Sequence, residues 1–135
     1  MTNAKLEAFL KEPNVAVLAT VDARGRAHAA PIWYLYDDGV FIMSTGRGSQ
    51  KHRNVEANPD VTLVVDRRTL PYYAAMAQGR AEIVPGFPDE DRRRLAVRYL
   101  GEELGDAYLA TSAGDSITIR LRPRKVIEFN GRAGR

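Results

Sequence analysis

The stretch Val15-Ala16-Val17-Leu18-Ala19-Thr20-Val21, followed at once by Asp22-Ala23-Arg24-Gly25, sets the class of the fold. Apolar at every second position and apolar again between, it reads as a strand expected to be buried on both faces. The four residues after it form a turn. A second strand is expected over 26–36, and Asp37-Asp38-Gly39 makes a hairpin turn into a third over 40–44. The expectation is a three-stranded antiparallel meander.

Working outward, Thr2 or Asn3 can cap a short amphipathic helix in which Leu6, Phe9 and Leu10 recur at helical spacing, and Pro13 ends it. Downstream, Gly46 and Gly48 mark a switch from strand to helix, Ser49 is a good N-cap, and the helix over 51–58 closes at Asn58-Pro59. Residues 61–66 read as a strand, Leu70-Pro71 as a break, and 72–84 as a long strand with a bulge at Gly79. The helix over 89–100 has an acidic start and a basic middle. Leu95, Ala96, Tyr99 and Leu100 share one face, and Gly101 is its stop. Two strands over 116–122 and 125–129 are split by Pro123. Hairpin connections and short inserted helices point to a mainly β fold, a small closed or partly closed antiparallel barrel in one domain, residues 1–135. Strands and helices do not alternate, so a doubly wound α/β domain is excluded.

Composition narrows the chemistry. The 135 residues include no cysteine, which excludes disulfides, thiol catalysis and Cys-based metal sites. His28 and His52 are the only histidines, so no His-rich metal centre is expected. No apolar run reaches the roughly 18 residues of a membrane span, and no signal-peptide pattern opens the chain, so a cytoplasmic protein is expected. The net charge of +3 is unevenly placed. Residues 116–135 carry six basic side chains against Glu128 alone, while the remainder is slightly acidic. A nucleic-acid-binding face normally spreads its basic excess, so no nucleic-acid partner is expected.

Two segments could carry chemistry. Ser44-Thr45-Gly46-Arg47-Gly48-Ser49-Gln50-Lys51 joins a strand to a helix. Its glycines admit close approach of the backbone, the helix start offers free N–H groups, and Ser49, Lys51 and Arg53 add donors and positive charge. It is phosphate-cradle chemistry without the ending of a Walker loop, and a solvated basic turn capped by Ser49 fits it equally. Ala29-Ala30-Pro31-Ile32-Trp33-Tyr34-Leu35-Tyr36 places small residues and a proline beside three aromatics. Pro31 should make that strand irregular, and the segment suits either the face of a planar ring or a barrel core. Tyr72, Tyr73 and Trp33 are further candidates for a pocket wall, though barrel aromatics are commonly core. His28 is expected to be structural or solvated and His52 to lie at the surface. The run Asp89-Glu90-Asp91-Arg92-Arg93-Arg94 is expected to be a solvated helix face.

Taken in order, Leu18-Ala19-Thr20-Val21, Gly25-Arg26, Pro31-Ile32-Trp33-Tyr34, Ser44-Thr45, Gly48-Ser49-Gln50-Lys51, Asn54-Val55, Asn58-Pro59, Val61-Thr62-Leu63 and Gln78-Gly79-Arg80-Ala81 resemble the pyridoxamine 5′-phosphate oxidase-like superfamily of flavin and deazaflavin oxidoreductases. Ser-x-Lys followed by Asn-Pro and an apolar strand is the most specific part. The resemblance implies a split β-barrel, FMN-binding-like, and a homodimer with the cofactor at the subunit interface. It implies that Ser49, Gln50 and Lys51, with Arg53 beside them, hold a cofactor phosphate, and that Pro31, Ile32, Trp33, Ser44 and Thr45 line its ring. A partner subunit is expected to contribute from Tyr73, Ala74 and Ala75. The sequence given stops soon after the last strand, without the C-terminal extension used by the oxidases of vitamin B6. The short form is similar to members that use the deazaflavin coenzyme F420, with FMN as the alternative. The resemblance then implies hydride transfer to or from a conjugated or quinone-like small molecule, with no catalytic side chain and no metal. A flavoprotein of the same fold and a non-catalytic cofactor-binding module are the other readings. The basic tail, 131–135, is a candidate contact for a polyanionic cofactor end.

Overall fold

The computed structural model describes residues 4–111 and 114–130. Helix α1 (Ala4–Leu10) precedes strands β1 (Ala16–Val21), β2 (Ala27–Ile32), β3 (Leu35–Asp37) and β4 (Val40–Gly46). Helix α2 (Gln50–Ala57), β5 (Asp60–Arg67), β6 (Tyr73–Pro85), α3 (Asp89–Thr111), β7 (Ser116–Leu121) and β8 (Lys125–Phe129) complete it. The caps expected at Thr2 or Asn3 and the 131–135 tail lie outside the described residues. No helix among the described residues is long and apolar enough to cross a membrane.

The strand order is β2-β1-β5-β6-β7-β4-β3, all antiparallel, with β8 also on β6. The two ends of that path, β2 and β3, are joined only by Trp33-Tyr34. Three Cα steps bring Ile32 within about 11 Å of Leu35, so the sheet must curl back on itself, yet β2 and β3 do not pair. This is a split barrel, as the resemblance implies. The expected meander is corrected: two hairpins, β1–β2 and β3–β4, sit in different parts of the sheet, and the strand expected over 26–36 breaks at Trp33-Tyr34. Tyr34 explains the break. Its backbone N–H donates to Tyr99 Oη at 3.2 Å and so does not serve a ladder, and its buried hydroxyl, donating to Leu10 O at 2.9 Å, pins the residue in the core. Pro31 keeps its place opposite Val17, on an edge strand where its missing donor costs little.

Alternate residues of β1 meet the core. Ala16, Leu18 and Thr20 are buried, but Val17, Ala19 and Val21 are only half-buried, not enclosed on both faces as expected. An antiparallel sheet curled around one core leaves its outer face to partial solvent. Leu63, Val65, Phe41, Met43, Ile119 and Leu121 fill the interior, and Phe9 of α1 closes one end with its ring edge-on to Tyr73 at 4.6 Å.

Gly79 marks where β6 changes partners. Its pairing with β5 runs unbroken through Val61–Gly79, so the expected bulge is absent. On the other edge β8 pairs up to Gln78 and β7 begins at Ala81. The corner Arg122-Pro123-Arg124 crosses between them, directly over Gly79. Helix α3 breaks at Gly101, in left-handed backbone with φ +86°, where the sequence placed a stop; helix then resumes and doubles back. Arg93 Nε pairs with Asp106 Oδ1 at 2.9 Å across that hairpin, and Gly105 packs against Val97. The returning helix was not expected.

Candidate functional site

The end of β2, the end of β4, the start of α2 and the doubled helix α3 enclose a cavity of about 390 Å³. That volume lies within the range of small-molecule sites, roughly 300–1,000 Å³. Pro31, Ile32, Trp33, Ser44, Thr45 and Lys51, six of the residues singled out from the sequence, line it together. They converge because the chain leaves β2 through Trp33 and later leaves β4 through Gly46 into the loop that starts α2.

The loop is held by its own hydrogen bonds. Ser49 is the N-cap, its Oγ accepting the His52 N–H at 3.2 Å and lying 2.9 Å from Thr45 Oγ1. The Ser49 N–H donates to Gly46 O at 3.0 Å. Arg47 is turned to Asp115, with Nε 2.8 Å from Oδ2. Lys51 is half-buried, lines the cavity, and makes no side-chain hydrogen bond or ion pair among the described residues.

Other expected ligands stand elsewhere. Gln50 Nε2 donates to Asn54 Oδ1 at 2.7 Å, and Arg53 donates to Gln50 Oε1 and Gly48 O, so both are committed to α2 and its loop. Ala75 is buried in the core of the single chain. Ala74 borders a second cavity of about 410 Å³ with Tyr72, Tyr73, Arg67 and Phe129. Tyr72 is exposed there, whereas Tyr73 is buried and donates its hydroxyl to Glu128. Neither tyrosine lines the Lys51 cavity.

The sequence reading missed the roof. Phe87, Arg92, Leu95, Ala96 and Tyr108 cover the cavity from α3 and the loop before it. Arg92, expected on a solvated helix face, is instead mostly buried at the cavity, because it precedes Leu95 by three residues and shares its helical face. Tyr108 was not legible, because it belongs to the returning helix. Trp33 stacks on Tyr99, ring centroids 4.8 Å apart and planes 10° apart, fixing the indole at the wall.

The electrostatics are one-sided. Lys51 and Arg92 line the cavity, and among the described residues no carboxylate does. Arg92 is three-quarters buried and is itself shared with Leu109 O at 3.3 Å and Asp89 at 3.6 Å. Hydroxyls of Ser44, Thr45 and Ser116 add donors, and Pro31, Ile32, Trp33, Phe87 and Leu95 supply apolar walls. Such a lining suits a ligand with one anionic end and one flat apolar body.

The histidines differ from each other. His28 Nε2 stands 2.9 Å from Asp22 Oδ2, and that bond, with the Arg24 and Arg26 amides and Arg26 Nε, holds Asp22 well below the usual carboxylate range. This cluster stitches the β1–β2 turn. His52, expected at the surface, is buried. Among the described residues no group of His, Asp and Glu could hold a metal ion.

A family model described as pyridoxamine 5′-phosphate oxidase matches residues 2–133. The pyridoxine/pyridoxamine 5′-phosphate oxidase of Salinispora arenicola is 31% identical over 159 residues, covering 95% of this chain and 70% of that protein. The enzyme of the same description from Rubrobacter xylanophilus is 35% identical over 104 residues, 74% of this chain and 45% of that protein. The chain spans about half the length of most curated relatives it matches. A solved structure described as an F420 reductase superposes with a TM-score of 0.74 at 27% identity, covering 90% of this chain and 94% of that one.

Proposed function

Because the chain belongs to the pyridoxamine 5′-phosphate oxidase family, we propose that it is a cytoplasmic oxidoreductase that holds the deazaflavin coenzyme F420 in the Lys51 cavity and exchanges hydride with a conjugated or quinone-like small molecule. The observation that carries the reading is Lys51: an ammonium at the start of a helix, unpartnered among the described residues, in a cavity with apolar walls that no described carboxylate lines. The donor set fits a phosphate-bearing cofactor with a planar ring. When bound, that cofactor supplies hydride transfer. Lys51 and the first amides of α2 would hold its phosphate, while Pro31, Ile32 and the Trp33 indole would orient the ring and keep water from one side. Ser44 and Thr45 can donate to polar ring edges. The similarity to an F420 reductase over nearly the full chain favours F420. The curated relatives, oxidases of pyridoxine and pyridoxamine phosphates, favour FMN as the second reading.

The proposal includes a homodimer. The exposed Tyr72 and half-buried Ala74 lie on the β5–β6 face, outside the Lys51 cavity, and that face is what a second copy would bring to the ring. Side-by-side equilibrium titration with F420 and FMN tests the reading. Lys51→Ala removes a charge-assisted contact of about 1.5–3 kcal/mol, so the preferred cofactor should bind on the order of ten- to a hundredfold more weakly. An unchanged Kd refutes the phosphate role, and binding of neither cofactor refutes the proposal. Turnover of a quinone or enone with reduced cofactor separates an enzyme from a module that only stores it.

A further inference from the structure

His52 stands at the third position of α2, between the half-buried Lys51 and the exposed Arg53, and is itself buried. Its backbone N–H donates to Ser49 Oγ, and its ring Nδ1 accepts the Gly48 N–H at 2.9 Å. This is a variant of the capping box: histidine stands at N3, where Glu or Gln normally reaches the N-cap N–H, and takes instead the N–H of Gly48, one residue before the cap. With Nδ1 accepting, the ring proton sits on Nε2, which faces Glu56 Oε2 at 3.3 Å one turn later. The ring is therefore held at Nδ1, with Nε2 turned toward the exposed Glu56.

The consequence falls on the loop. Gly48 has φ +79°, a conformation in which its flanking peptides can be turned either way unless something fixes them. His52 takes the N–H of Gly48, and Arg53 Nη1 takes its carbonyl. The amides of Ser49 and His52 are also satisfied, by Gly46 O and Ser49 Oγ. Among the described residues, the first amides of α2 left without a partner are those of Gln50 and Lys51.

We infer that His52 is a positioning residue for the anion cradle. By accepting the Gly48 N–H it fixes the loop so that the Gln50 and Lys51 amides and the Lys51 ammonium converge on one phosphate-type anion, which His52 itself does not touch. This rests on the phosphate role proposed for Lys51.

Two variants separate positioning from bulk. His52→Leu keeps an apolar filler and removes the acceptor, whereas His52→Asn places Oδ1 where Nδ1 was. FMN and F420 are titrated against each, with riboflavin as a ring that lacks phosphate. His52→Leu should bind FMN and F420 about tenfold more weakly and riboflavin as the wild type does, and His52→Asn should stay within about threefold of wild type for all. Wild-type affinity for FMN and F420 in His52→Leu overturns the inference. So does an equal loss for riboflavin, or an Asn variant as weak as Leu. If His52→Leu does not fold, hydrogen exchange of the wild-type Gly48 amide decides: protection is expected, and exchange as fast as that of an exposed turn amide overturns the inference. Failure of the underlying reading looks different: Lys51→Ala then leaves FMN and F420 binding unchanged, and both ideas fall. Loss in Lys51→Ala without loss in His52→Leu removes only the role of His52.

Discussion

Replacing Gly79 by alanine tests the corner on which the split of the barrel depends. A Cβ at this position would lie 3.1 Å from Arg122 O, 3.1 Å from Pro123 Cα and 3.2 Å from Arg124 N, whereas ordinary contact begins near 3.4 Å. All three atoms are backbone, so no side chain can swing aside. The corner is anchored on both sides, by β7 on β6 and by the Arg124 N–H donating to Gln78 O at 2.9 Å. It must therefore move as a unit by a few tenths of an ångström. Overpacking of this kind costs about 1–3 kcal/mol, and the stiffer unfolded chain offsets about 0.4–1 kcal/mol of it. The net expectation is a loss of about 1–2 kcal/mol. Urea unfolding followed by Trp33 fluorescence would read it as a lower midpoint at unchanged slope. Gly46→Ala is the control, because nothing lies within 4 Å of its Cβ position, and it should stay within about 0.5 kcal/mol of wild type. A Gly79→Ala protein as stable as wild type would refute the close approach.

Asn54 is buried, donates to Thr20 Oγ1 at 2.9 Å and accepts from Gln50 Nε2, tying α2 to β1. Asn54→Ala should destabilise the fold by about 1–3 kcal/mol in the same urea assay, and a neutral result would show that α2 is held by other contacts. The depressed Asp22 pKa, owed first to His28, contributes stability that is complete above the unfolded carboxyl value of about 3.9 and is lost as pH falls below it. Asp22→Asn should therefore be less stable at neutral pH and lose less on acidification; acid slopes equal to wild type would contradict this. Trp33 is the single tryptophan and lines the cavity, so saturating F420 or FMN should quench its emission, and constant emission on binding would place the ligand elsewhere.

Local chemistry made most of the strands legible. Gly25, Gly39 and Gly48 turn the chain where the sequence says they should, each with positive φ, and Ser49 caps α2 as its type and position require. What failed was long-range. Nothing between Arg26 and Tyr36 announces that β2 and β3 belong to different parts of the sheet, because the break is enforced by Tyr99 and Leu10, distant in sequence. The stop at Gly101 was correct as a local statement, yet a glycine that ends one helix can equally be the hinge into another. The cavity followed the same division: its floor, from Pro31 to Lys51, was legible in motifs, and its roof on α3 depended on a fold-back visible only in three dimensions. His52 was misplaced because a polar residue beside Lys51 and Arg53 reads as surface until its acceptor role toward Gly48 is seen.

The cavity lining also sets how the work would be divided between protein and cofactor under the proposed function. A protein that moves protons by itself needs a group able to take one, placed within reach of the substrate. Here the lining offers an ammonium, a guanidinium, hydroxyls and apolar surface, and, among the described residues, no carboxylate or imidazole. His52 is nearest in sequence, but its Nδ1 is occupied by Gly48 and its Nε2 faces Glu56. Under the proposed function this is the expected composition: the bound cofactor supplies the reacting atom, and the chain supplies a grip at one end and a flat apolar wall at the other. Selectivity between acceptors then falls to the roof, where Phe87, Leu95 and Tyr108 set the open space above the ring. Tyr108→Ala should alter KM among acceptors of different width while the Kd for cofactor stays the same, since Tyr108 belongs to the returning half of α3 and not to the Lys51 loop. A parallel loss of cofactor affinity would show that the roof grips the cofactor instead.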